Sequence, residues 1–387
     1  MKKLLFFAVL ISIFLLPSSV FSGPVERTLS LEESITTAMQ ISQEIMIAQE
    51  QVYIAEQRVK ESKALIYPKI DLNFSASQFQ SDFPTVLAPT FGSLYLPPGS
   101  NDNYYSTRFS LWQYLYAGGR YSTNLELAEK NLSQAQAQAE VIRNKRIREV
   151  RKAFYSLLVA KEKIGIYENI KGSAQEKARA ELARAKYEYE KKKLYFLEIM
   201  GLELTTLIDV QGALKAPEGE YDLNKCLAWA IQHRPELRQT QFQEAINTLQ
   251  VNLTQIERKA TISLGANYEW AGGAFPLEER NWNATINMNF PIFDGWASLA
   301  RTRQRRHQEE ESKIRRADIQ DQVNLDVRQA LLDYNFWKSR ESIQNSKRAE
   351  SLESEKKLDA ELQWIDSAQQ LLSSHADLEW SIGGPLK

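Results

Sequence analysis

Leu29–Gln40 reads LSLEESITTAMQ and Tyr221–Gln232 reads YDLNKCLAWAIQ, so the second stretch restates the first about 192 residues later. Continued onward, Leu31 falls on Leu223, Ala38 on Ala230, Ile70 on Ile262 and Leu72 on Leu264. A second set of blocks matches at an offset of about 177, with LYAGG (Leu115–Gly119) on IFDGW (Ile292–Trp296) and EVRKA (Glu149–Ala153) on DVRQA (Asp326–Ala330). A duplication this long makes each half one structural unit, and the two are expected to assemble side by side. The expected division is a leader over 1–22, repeat 1 over 23–201, a linker over 202–220 and repeat 2 over 221–387.

The leader has the order of a secretory signal peptide. Lys2 and Lys3 precede an unbroken apolar run, Leu4–Leu16, and Val20-Phe21-Ser22 places tolerated residues before Gly23. The rival reading, a retained anchor helix, meets an apolar run short for a full span. Cys226 is the single cysteine of the 387 residues, so no intramolecular disulfide forms and no cysteine follows the leader to carry a lipid. After Ser22 no apolar run is long enough for a membrane helix. A formal net charge of -1 argues against a nucleic-acid partner. Any membrane this chain crosses it must cross as strands.

Each half is expected to run helix, strand, loop, strand, long helix, helix. Ile45, Ala48, Val52, Ala55, Val59 and Ile66 follow three-four spacing, as do Phe242, Ala245, Leu249 and Ile256 and, after Gly119, Leu125, Ala128, Leu132, Ala135, Ala139 and Ile142. These stripes have coiled-coil width, alanine lets the helices approach closely, and a common globular core is not expected. Between the helices the period falls to two. Ile70, Leu72, Phe74 and Ala76 alternate with Asp71, Asn73, Ser75 and Ser77; Ile262, Leu264, Ala266, Tyr268 and Trp270 alternate with Ser263, Gly265, Asn267 and Glu269. Tyr105, Thr107, Phe109 and Leu111 alternate with Ser106, Arg108 and Ser110; Trp282 to Ile292 alternates with Asn283, Thr285, Asn287 and Asn289.

Each run has about ten residues, the length of a tilted transmembrane strand. Soluble half-buried strands alternate too. The shared length, the Asn- and Ser-rich polar faces and the aromatics near the run ends favour the membrane. Residues Gln80–Asn103 and Ala271–Asn281 read as the loops between paired strands. Four strands cannot close around water, and an open edge in lipid leaves backbone groups unsatisfied at several kcal/mol each. Several copies of the chain must therefore contribute strands to one barrel, and the narrow helical seams need neighbours as well.

At this point the chain resembles the TolC-type outer membrane efflux proteins. The resemblance rests on the duplicated starts, HRPEL (His233–Leu237), ALIYPKIDLNFSAS (Ala64–Ser77), LYAGGR (Leu115–Arg120), FPIFDGW (Phe290–Trp296) and VRKAFYSLL (Val150–Leu158), in order along both halves. It implies a mainly α fold with β: repeated long helical hairpins forming an α-barrel, and four transmembrane strands per protomer in a shared twelve-stranded barrel of a homotrimer. It further implies an outer membrane location with the helices in the periplasm. The function implied is that of a passive, non-enzymatic, cofactor-free conduit that meets a periplasmic adaptor and an inner-membrane pump or secretion ATPase. The alternative from another class is a periplasmic coiled-coil scaffold without channel activity.

One departure stands out. The Tyr-x-x-Gly-Leu-x-(Thr/Ser)-x-x-Asp segment usual at the family's periplasmic tips is in neither half, which implies shortened hairpins. Helix arithmetic still closes: Tyr121–Lys171 is roughly 76 Å long, and Pro235–Lys259 with Ser173–Met200 add to about 38 and 42 Å. Gly172 and Ser173 are the expected first tip, with Ser351 opposite; adaptor docking residues do not transfer.

Gly118, Gly119 and Gly295 are expected as barrel-to-helix turns, Trp296 standing where repeat 1 has a second glycine. Asn73, Arg108, Asn267, Asn287 and Asn289 are expected to face the lumen, with Arg108 biasing which solutes pass. His233, His307 and His375 lie on separate helices without ligand spacing and read as ordinary surface histidines. Arg301, Arg303, Arg305 and Arg306, followed by Glu309–Glu311, read as a solvated helix with paired charges.

Overall fold

The computed structural model describes residues 27–81, 85–87, 94–96, 100–170, 175–215, 219–350 and 354–385. The leader, Gly172, Ser173 and Ser351 lie outside them. Repeat 1 runs β1 (Arg27–Leu29), α1 (Leu31–Ile41), α2 (Gln43–Ala64), β2 (Lys69–Ser81), β3 (Thr85–Leu87), β4 (Leu94–Leu96), β5 (Ser100–Tyr116), α3 (Arg120–Glu168) and α4 (Gln175–Met200). After β6 (Ile208–Val210) in the linker, repeat 2 runs α5 (Leu223–His233), α6 (Pro235–Ile256), β7 (Thr261–Gly272), β8 (Glu279–Asn289), α7 (Ala297–Glu350) and α8 (Ser354–Ser381). Long helical hairpins with one four-stranded sheet at their end are the expected architecture.

The restated opening forms α1 and α5, and local chemistry starts both. Ser30 and Glu33 make a reciprocal capping box, satisfying two orphan amides of the first turn. Asp222 does the same work at α5 by accepting from the Lys225 amide at 2.9 Å. Each repeat was expected to open with a helix before its first strand; in both, two helices stand there. Arg234 is extended (ψ 117) because the following Pro235, the first residue of α6, excludes the helical region for its predecessor. Ser42 breaks the first repeat with the same geometry (ψ 123) and no proline.

At roughly 1.5 Å per residue, α3 is about 74 Å long and α7 about 81 Å. Near the sheet, α3 lies between α2 and α6, through Gln134–Gln243 and Gln138–Gln239 contacts and the Arg146–Glu44 ion pair. Farther out it lies between α4 and α8, with Lys152 on Asp377 (2.9 Å) and Lys163 on Asp366 (2.6 Å). The hairpin turns fall between Glu168 and Gln175 and between Glu350 and Ser354.

The seams are not the whole story of the helices. Where α1 and α5 lean on the hairpins, each repeat has a compact apolar cluster that narrow stripes did not foretell. In repeat 1, Ala38, Val150, Phe154, Leu157, Leu158, Phe196, Met200, Ile208 and Val210 pack together. In repeat 2 the equivalents are Cys226, Ala230, Val323, Val327, Leu331, Tyr334, Leu371, Leu378 and Ile382. The two clusters are separate, and the α3–α8 boundary between them is ionic: Arg148 and Lys152 on Asp377, and Arg151 on Glu379. The expected linker over 202–220 is also structured, because β6 pairs in parallel with β1 and Lys161 holds Asp209 at 2.6 Å. The segment that opens repeat 1 is thereby clasped to the linker that leads into repeat 2.

Candidate functional site

The sheet is the site. Its order is β2-β5-β7-β8, antiparallel throughout, and among the described residues neither outer edge has a partner strand. The strands extend farther than the alternation alone indicated: β2 and β5 stay paired to Ser81↔Ser100. Within the segment read as a loop, β3 pairs with β4.

Register sorts the side chains into two faces. Leu72 lies opposite Phe109, which lies opposite Tyr268, which lies opposite Trp282; the next row joins Ile70, Leu111, Ala266 and Ala284. Interleaved with these, Asn73 opposes Arg108, Arg108 opposes Glu269, and Ser110 opposes Asn267, which opposes Asn283. The apolar face is the exposed one: Leu72 is 70% exposed, Trp282 76%, Ile286 68% and Met288 69%. On the central strands the polar face is the covered one, with Ser106, Ser263 and Glu269 buried, whereas on the edge strands β2 and β8 the polar positions are mostly exposed as well. A water-soluble sheet does the opposite. A sheet that curls toward closure crowds its concave face and spreads its convex one, so this sheet curls its polar side inward.

Of the residues expected on the lumen side, Asn73, Arg108, Asn267, Asn287 and Asn289 all belong to the polar register positions. Asn267 donates to Asn283 across β7–β8 at 3.1 Å. Arg108 is not a bare charge: its guanidinium donates to the Glu269 carboxylate at 2.8 Å on the neighbouring strand. Sequence reading singled out Arg108 and passed over Glu269, although both sit on polar positions of facing strands; the pairing needs the register to be seen.

At the sheet's end the chain turns sharply into α3 and α7. Gly118 (φ 64) and Gly119 (φ 95) are both left-handed, and a side chain at Gly118 would meet the Lys259 Cβ at 2.8 Å. Repeat 2 keeps the same turn with Gly295 (φ 64) and Trp296 (φ 69). A left-handed tryptophan costs about 1–2 kcal/mol relative to ordinary backbone. Asp294 helps hold the turn by accepting from the Ser298 amide at 2.7 Å.

Along the helices the surroundings are polar. A cleft of about 540 Å³ among α3, α7 and α8 is lined by Arg148, Lys152, Asp333, Trp337, Gln370 and Asp377. Arg301 pairs with Glu257 and Arg305 with Gln250 and Gln308, so both are held by partners on the helix surface. His233 is exposed and stacks on Trp229. His375 departs from the expected surface histidine: it is 8% exposed, shares a 2.8 Å hydrogen bond with the Tyr221 hydroxyl and lies against Tyr334. Burial, with the nearby Arg151 guanidinium, pushes its pKa down to about 4, so it stays neutral. Among the described residues no group of His, Cys, Asp and Glu is placed to hold a metal ion, and no helix is long and apolar enough to cross a membrane.

Comparison with known proteins agrees with this geometry. Residues 35–188 match the family model described as outer membrane efflux protein. No curated protein sequence is similar enough to this chain to match it. Solved structures share the fold at low identity. The Campylobacter jejuni CmeC outer membrane channel superposes with a TM-score of 0.70 at 14% identity, over 92% of this chain and 85% of that one. The open-state Neisseria gonorrhoeae MtrE outer membrane channel gives 0.70 at 14%, over 92% and 89%. The Vibrio cholerae outer membrane protein VceC gives 0.63 at 14%, over 92% and 96%. The family match lies within the first repeat, and along its described length the chain has the fold of these outer membrane channels.

Proposed function

We propose that three copies of this chain pool their strands into one twelve-stranded barrel in the outer membrane, continued by a helical tube in the periplasm. As the outer component of a tripartite efflux or type I secretion system, this assembly passes solutes from an inner-membrane pump, through an adaptor, to the outside. It is a passive duct and performs no covalent chemistry. The observation that carries the reading is the inverted sheet: large apolar residues exposed on one face, the polar positions of the central strands covered on the other, and both edges open. Burying those outer residues in lipid recovers about 25 cal/mol per Å² of apolar surface. Closing the edges between copies satisfies the backbone groups that lipid cannot.

A scaffold in the periplasm would leave Leu72, Trp282, Ile286 and Met288 in water. The deciding experiment is fractionation followed by reconstitution. The expected result is a detergent-extracted, heat-modifiable oligomer in the outer membrane fraction that conducts ions in planar bilayers. Release by osmotic shock as a soluble protein without conductance would establish the scaffold instead. Gly172, Ser173 and Ser351 are proposed as the adaptor-facing tips, and crosslinking of cysteines at these positions to a co-expressed adaptor tests that assignment.

A further inference from the structure

The internal duplication specifies how one copy joins the next, residue by residue. Moving β2 forward by 192 and β5 forward by 177 carries Lys69↔Trp112 onto Thr261↔Asn289 and Asp71↔Ser110 onto Ser263↔Asn287. Those are the observed β7–β8 pairs, so the sequence offsets hold for the strands without a slip. The sheet therefore contains two equivalent hairpins, and β5–β7 is the junction between them, with Trp112↔Gly265 and Arg108↔Glu269. The same two offsets applied to that junction, β5 forward onto β8 and β7 back onto β2, describe a joint that one chain cannot make with itself. Both strands required for it are the open edges of the sheet.

We infer that β8 of one copy pairs antiparallel with β2 of the next in the register Asn289↔Asn73, Met288↔Phe74, Asn287↔Ser75, Ile286↔Ala76 and Thr285↔Ser77. This rests on the shared-barrel reading and adds the register that it leaves open. Two features of the chain support it independently of the offsets. The faces agree at these positions, because Met288 and Ile286 meet Phe74 and Ala76 on the apolar side while asparagines and serines meet on the polar side. A slip of one residue would set every apolar side chain against a polar one. The direction also agrees, since three antiparallel steps leave β8 antiparallel to β2.

The joint between copies differs from the joint within a copy. Where β5–β7 carries the Arg108–Glu269 ion pair, the equivalent positions between copies are Thr285 and Ser77. Where Trp112 covers Gly265, two asparagines meet, Asn289 and Asn73. The subunit boundary is thus a neutral, amide-lined seam repeated at each junction.

Disulfide trapping tests the register on the full-length protein in membranes. Cys226 is fully buried and does not compete. The double variants Asn73→Cys with Asn289→Cys, and Phe74→Cys with Met288→Cys, sample both kinds of antiparallel pair, with Cα atoms about 4.5–5.5 Å apart and within disulfide reach. The slipped control, Asn73→Cys with Asn287→Cys, places them about 7–8 Å apart, beyond it. The expected result is a covalent, reducible trimer from at least one in-register variant and none from the control. Linkage in the control without linkage in register overturns the register. An oligomer of trimer mass by light scattering that links in neither overturns the pairing of β8 with β2. A monomer in detergent overturns the shared barrel on which it rests.

Discussion

Ile286 and Asn287 are neighbours on β8, and the same substitution at each has opposite consequences if the sheet is inside out in lipid. Ile286 is 68% exposed on the apolar face and near the middle of the alternating run that ends at Ile292. An arginine on the lipid side near the bilayer midplane costs about 2–4 kcal/mol, hence roughly 6–12 kcal/mol for three symmetry-related copies. That is comparable with the whole stability of a typical folded domain, about 5–15 kcal/mol. Ile286→Arg is therefore expected to abolish the heat-modifiable oligomer in the outer membrane. Asn287→Arg places its charge on the polar face, in water beside the neutral Ser75 of the next copy, where oligomer yield falls far less than in Ile286→Arg. Its readout is conduction: three added positive charges move ion preference toward anions. The assay is oligomer yield in the outer membrane fraction, followed by reversal potentials in planar bilayers. Equal loss of oligomer in both variants would refute the assignment of faces. So would equal tolerance, since a water-exposed sheet absorbs surface substitutions within about 0.5 kcal/mol.

Three further outcomes are expected. Unfolded, His375 has an ordinary pKa of 6.5, and folding lowers it to about 4, so the unfolded chain binds the extra proton as pH falls below 6.5. Its contribution is complete above pH 6.5 and declines toward pH 4, by roughly 2 kcal/mol at pH 5, so the urea midpoint of wild type should fall across that window more steeply than that of His375→Gln. Parallel profiles would remove His375 as the cause. Arg108→Ser should unmask Glu269 and shift the channel toward cations, and Glu269→Gln should shift it toward anions. The double variant should return to wild-type selectivity, whereas unchanged reversal potentials in both single variants would place the pair away from the ion path. Gly118→Ala should destabilise more than Gly295→Ala in thermal melts. Both residues are left-handed at φ 64, at about 1–2 kcal/mol for an alanine, but only at Gly118 does the new Cβ collide, with Lys259. Equal shifts would mean that the collision relaxes away.

Much of the sheet's polar face was legible because a strand's side-chain period is two: Asn73, Asn267, Asn287 and Asn289 sort to one face without any knowledge of neighbours. The turn glycines were legible for a similar local reason, since left-handed backbone favours glycine. The clusters around Phe154 and Tyr334 were not. They join residues from α1, α3, α4 and β6, or from α5, α7 and α8, and no periodicity within one helix reveals which other element covers it. His375 was misjudged for the same reason. Its burial comes from Tyr221 and Tyr334, which lie far from it in the chain.

Legible in the chain by itself were the repeat, the strand faces and the expectation of partner copies. Each of these follows from spacing along the backbone and from the cost of unsatisfied amides in lipid. Tertiary structure decided what depends on relative placement: that Arg108 is neutralised by Glu269, that β6 clasps β1, and that each repeat closes over its own core. Short-range geometry is written in neighbouring residues. Long-range contact depends on how the twisting sheet and hairpins bring distant segments together, and one-dimensional spacing carries no record of that approach.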